Sequence, residues 1–277
     1  MHPQDQTDRE IKRFQALFPF LDREYRHLLS VFETLKLTTT EELQSRVVNT
    51  PRAVGFSVVA SALLSSCVIV AHRILSAGRK SNPSLCQSVR PFVGKNQKEH
   101  AKLLARLEQL YPTWPDLIVR WKGTSSHYYI PKPAPKNSPS VEDQKRDFWQ
   151  RVEIIRSEWA YLSTACKTKL DVPRDKVFAH LELEELTFES PAEEQPTGGR
   201  AEHRERSIRH EQEVHFGFQT ISEPDPEELW KTLREVVPRT GNCIAQVGYV
   251  WRKACVDYPE AQRAAESGAA AFWRLFL

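Results

Sequence analysis

At 277 residues, with 40% hydrophobic and 27% charged residues, the chain is long enough to bury one large core or two small ones. Ten glycines against 18 prolines, with neither GxGxxG nor GxxxxGK[ST], exclude the glycine-cradled nucleotide folds. A net charge of +3 is too small to indicate nucleic-acid binding by itself; five cysteines without CxxC, and nine histidines without HExxH, point to reduced thiols rather than a disulfide framework or a metalloprotease site.

Ile11, Phe14, Phe18, Leu21, Tyr25, Leu28, Phe32 and Leu35 recur every three or four residues. This predicts a long amphipathic helix that Pro19 should kink or split. A short helix is expected over 41–49. Val54 to Ala71 is free of charge for 18 residues, just enough to raise a membrane span. Four serines interrupt it, so the expectation is a central helix over about 51–77, buried on all sides, with Gly78 as its C-cap. His72 and Arg73 fall in its last turns. Ser84 should start a short helix ending near Pro91, and 98–110 another.

The run 116–121 is expected to resume as helix. Residues 122–140 hold Tyr128, Tyr129 and the prolines 131, 133, 135 and 139, which predicts an extended loop. From Arg79 to Lys122 nine basic residues face three acids, a stretch able to track a phosphate backbone. The clearest helix spans 141–169, where Phe148, Val152, Ile155, Trp159, Leu162 and Cys166 keep a heptad stripe. Glu182 to Glu194 then carries six Glu and no base, and 190–212 lacks any period. Three histidines, 203, 210 and 215, follow in polar surroundings. Pro226 should open a helix, a second should cover 243–256, and a last one 259–277.

Between the clearest predicted helix and the acidic run lies Asp171-Val172-Pro173-Arg174-Asp175-Lys176-Val177-Phe178-Ala179-His180. Pro173 fits the first turn of a helix, and Asp171 suits its N-cap. Arginine stays charged and holds phosphate; histidine moves protons near neutrality. Together they suit attack of an RNA 2′-hydroxyl on its own phosphate, without metal or cofactor. Arg174 and His180 are six apart, roughly 120° around a helix, so the Arg side chain must curl across the turn or the site must form between two subunits.

The run Arg174-Asp175-Lys176-x-x-Ala179-His180 resembles the signature of the HEPN family, in the version found in bacterial abortive-infection (Abi-type) proteins. Arg73-Ile74-Leu75, followed by Asn82-Pro83-Ser84-Leu85, resembles a helix end, turn and helix start of that branch, although the branch often carries an acid where this chain has Ser76. The resemblance implies an all-α, HEPN-type helical bundle with added N- and C-terminal helices. It divides the chain into an N-terminal extension (1–50), a bundle with a mobile insertion near 190–212 (51–257), and a C-terminal helix (258–277). It further implies a cytoplasmic homodimer joined through its motif helices, acting as a metal-independent endoribonuclease in prokaryotic defence or toxin–antitoxin systems, with RNA as substrate, an antitoxin or sensor protein as partner, and no membrane. Arg174, His180 and Asp175 are the catalytic candidates; Lys176 and Arg73 are the substrate-binding ones. The alternative is an inactive HEPN-like module that binds or dimerises within a defence complex.

Overall fold

Eight helices and a small sheet make up the described parts of a computed structural model, which covers residues 3–47, 50–76, 84–94, 100–122, 126–133, 139–171 and 226–275. The helices are α1 (Pro3–Leu37), α2 (Glu41–Val47), α3 (Ala53–Leu75), α4 (Leu85–Val89), α5 (Ala101–Leu110), α6 (Val141–Ala165), α7 (Pro226–Arg252) and α8 (Tyr258–Arg274). The chain is mostly helical, as its periodicity predicts, but not wholly so.

The predicted stripe of α1 is the spine of the core. Ile11, Phe18, Leu21, Tyr25, Leu28, Phe32 and Leu35 are all buried, and the helix packs on α3, α7 and α8. Pro19 neither splits nor ends it. The proline removes one backbone bond, yet the carbonyl it releases belongs to half-buried Gln15 and stays near water, while buried Phe18 and Leu21 hold both sides of the gap. The same holds in α7, where Pro238 lies on the exposed face and the released carbonyl is that of exposed Arg234. The helix expected to open at Pro226 and the one expected over 243–256 are therefore one, with Leu229, Leu233, Val236, Ile244, Val247 and Trp251 on its buried side; it ends at Arg252, and 254–255 is strand instead of helix.

Residues 116–133 depart most from expectation. Leu117–Lys122 forms strand β1, Ser126–Pro131 forms β2, and Ala254–Cys255 forms β3. The strand order is β2-β1-β3: β2 pairs antiparallel with β1 (Val119 opposite Tyr129), and β3 joins β1 in parallel (Leu117 opposite Ala254). Seven residues between Pro115 and Gly123 are too few for a stable isolated helix. Ile118, Val119, Trp121, Tyr128, Tyr129 and Ile130 are branched or aromatic side chains that fit a pleated surface. Pro131 is tolerated because it ends an edge strand.

Helix α3 also corrects the sequence reading. Its C-terminal third is buried through Cys67, Val68, Val70, Ala71, His72, Ile74 and Leu75. Its N-terminal half is not: Val54 is 75% and Val58 64% exposed. Among the described residues α3 is the one helix long and apolar enough to cross a membrane, by length and composition. The expected C-cap Gly78 lies outside the described residues. Val58→Glu should change the free energy of unfolding by less than about 0.5 kcal/mol in a urea titration; a loss of several kcal/mol, as for a charge forced into a core, would contradict the exposed placement.

Candidate functional site

Helix α6 begins at Ser140, whose hydroxyl accepts from the Asp143 amide 3.1 Å away, and runs straight to Ala165. Phe148, Val152, Ile155 and Leu162 are buried along it, as their spacing predicts. Its end is unusual. Cys166–Leu170 is a π turn, closed by the Asp171 amide donating to the Cys166 carbonyl. In an α-helix, residues five apart sit about 140° around the axis from one another. The wider i→i+5 turn instead stacks Cys166 and Asp171 on the same side.

That side faces the buried end of α3. His72 Nε2 lies 2.5 Å from Asp171 Oδ1, and Cys166 Sγ lies 4.0 Å from the same oxygen. His72 and Cys166 are buried, whereas the Asp171 side chain is 42% exposed. All three donor atoms fall within 4.8 Å of one another, and imidazole, thiol and carboxylate are all metal-ligating groups. An imidazole held by a carboxylate also has a fixed orientation and a route for proton exchange. Asp171 has helical backbone angles (φ −63°, ψ −46°) and turns its Oδ1 to His72; the helix it was expected to cap lies outside the described residues.

Of the residues singled out from sequence, Arg174, Asp175, Lys176 and His180 lie outside the described residues, as do the histidines 203, 210 and 215, the acidic run and the segment 190–212. Arg73 is described, and it forms an ion pair with Glu24 of α1 on the surface. Neighbouring positions on α3 therefore serve different ends: His72 meets the end of α6, and Arg73 meets α1. Sequence reasoning missed Cys166 and Asp171 as partners of His72, because a separation of five carries no metal or catalytic signature and His72 is 99 residues away from Asp171.

A second polar cluster lies where α7 turns into β3. Lys253 is buried, has a left-handed backbone (φ 51°), and donates Nζ to Gln144 at 2.7 Å, with Asp116 at 3.9 Å. Tyr249 donates to Asp116 at 3.1 Å, Arg151 lies 3.6 Å over the Tyr249 ring and 2.9 Å from Asp147, and Tyr111 donates to Asp147. Burial pulls the Lys253 ammonium below its usual range and pushes the Tyr111 and Tyr249 phenols above theirs. The Lys253 carbonyl accepts from the Leu117 amide at 2.9 Å, which starts the β1–β3 pairing. The members satisfy one another and fasten α6 and the end of α7 to Tyr111, just after α5, and to Asp116, just before β1. The cluster reads as a lock on this turn.

Five thiols and no disulfide are present, as the cysteine count suggests, with Cys67, Cys166 and Cys243 buried. Burial pushes the Cys67 thiol up to about 12, so it is inert as a nucleophile. Compared with known proteins, the chain matches no family model, no curated protein and no solved structure.

Proposed function

We propose that the chain is a cytoplasmic endoribonuclease of a prokaryotic defence or toxin–antitoxin system, with an HEPN-type bundle and chemistry that needs no metal at the scissile phosphate. The observation that carries this reading is the Arg174-Asp175-Lys176-x-x-Ala179-His180 run, which follows the 25-residue helix α6 and its π turn in a mostly helical chain. Arg174 binds the phosphate and offsets the charge that builds on it; His180 takes the 2′-hydroxyl proton and returns one to the leaving 5′-oxygen; Asp175 orients them. Lys176 holds a neighbouring phosphate. Arg73 serves RNA by exchanging Glu24 for phosphate, and this exchange costs little, because an exposed ion pair contributes about 0–1 kcal/mol. Two copies meeting through their motif helices bring Arg174 of one to His180 of the other, and an antitoxin or sensor protein restrains them.

The test is product chemistry. Wild-type protein, without added divalent ions, is expected to cut RNA to 2′,3′-cyclic phosphate and 5′-hydroxyl ends, and His180→Ala to fall to background. Equal cleavage by both proteins removes the proposal. A second reading is favoured by one specific feature, the uncovered apolar half of α3: an inactive module that binds or dimerises in a defence complex through that surface. Under it, wild type leaves RNA intact, and Val58→Glu weakens association without unfolding the chain.

A further inference from the structure

We propose that His72, Cys166 and Asp171 form a binding site for a divalent transition-metal ion of the zinc class, with a fourth position open to solvent. The three side chains come from two separate elements, the last turn of α3 and the π turn that ends α6. A regular helical ending would carry Asp171 away from Cys166. The π turn brings the two ligands onto one side, and that side is where His72 emerges from the core. π turns of this kind recur at functional positions in helices.

The donor set selects the ion. Thiolate and imidazole favour zinc, cobalt or copper over calcium and magnesium, which take oxygen ligands. Tetrahedral donors around zinc, at about 2.0–2.3 Å from the ion, stand about 3.3–3.6 Å apart. The Asp171 oxygen therefore withdraws from His72 by about 1 Å, a movement its half-exposed side chain allows. The Cys166 sulfur, at 4.0 Å from that oxygen, closes by less. Binding as thiolate releases the Cys166 thiol proton, so uptake is favoured by rising pH. Water fills the fourth position on the exposed side of Asp171.

Bound there, the ion ties the buried end of α3 to the end of α6. None of its ligands belongs to the Arg174–His180 run, so this proposal and the ribonuclease reading stand or fall separately.

The purified full-length chain is titrated with cobalt(II), then with zinc as competitor. The expected result is one cobalt per chain, with a thiolate-to-cobalt charge-transfer band that zinc displaces. Cys166→Ser loses the band, and His72→Ala and Asp171→Asn each lower affinity at least about 10-fold, since removing a ligand costs no less than disturbing its outer shell. No uptake by wild type, or a band of full strength in Cys166→Ser, overturns the proposal. Should the variants misfold, zinc-loaded wild type decides by X-ray absorption: one sulfur at about 2.3 Å with nitrogen and oxygen at about 2.0–2.1 Å supports the site. A shell with no sulfur, or with several, overturns it.

Discussion

Trp251→Ala is expected to lower the free energy of unfolding by about 3–5 kcal/mol, the range for emptying a core position of this size. Trp251 has no exposed surface and sits where four parts of the chain meet. Its ring stacks on Phe14 of α1 with centroids 4.4 Å apart and contacts Phe92 beside α4. Its indole Nε1 donates to the Ser88 carbonyl at 3.2 Å, and its own carbonyl accepts from Gln15 at 2.8 Å. Truncation leaves a void and removes the donor to a buried carbonyl, and the two costs add. For a domain stable by about 5–15 kcal/mol this is a large share. Urea titration followed by circular dichroism measures it; a loss below about 1 kcal/mol would mean that the Phe14 stack does not hold α1 to α7.

Gly248→Ala should destabilise the fold even though alanine is the better helix former. Glycine in a helix interior costs about 1 kcal/mol relative to alanine, so an unobstructed site would gain that much. Here a Cβ would overlap the Phe18 ring, with Cζ 2.5 Å away. Phe18 is 1% exposed and has nowhere to move without shifting α1. Overpacking of this kind costs about 1–3 kcal/mol, and with a fully buried ring in the way the upper part of that range applies, so the net loss is up to about 2 kcal/mol. Phe18→Leu in the Gly248→Ala background should recover part of it, giving a double-mutant cycle with a favourable coupling term. Equal or raised stability in Gly248→Ala alone would refute the close approach of the two helices.

The helices were legible where one face alone meets the core. The α1 and α6 stripes repeat at helical spacing, and every position of α1 from Phe18 to Leu35 in that stripe is buried. The strands were not legible, because β3 has two residues and its partner β1 lies more than 130 positions earlier, a pairing that no local pattern records. Helix α3 misled for a different reason. An uncharged apolar run has the same composition whether it is enclosed or uncovered, and only the neighbours of Val54 and Val58 tell the cases apart. The candidate site follows the same logic. Arg174 and His180 stand close enough in sequence to be noticed together. His72, Cys166 and Asp171 are joined only by a π turn and a helix packing, neither of which leaves a spacing to recognise.

Helix α1 can pack early on α3, but its other partners, α7 and α8, begin about 190 and 220 residues after its last residue. At about 5–20 residues per second, a ribosome needs on the order of 10–40 s to supply them. For that interval Phe18, Leu21, Leu28 and Phe32 travel on the nascent chain without the neighbours that α7 and α8 supply. Chaperone holding during translation, and clumping of prematurely terminated chains, are the expected cellular counterparts of a spine that is made first and enclosed last.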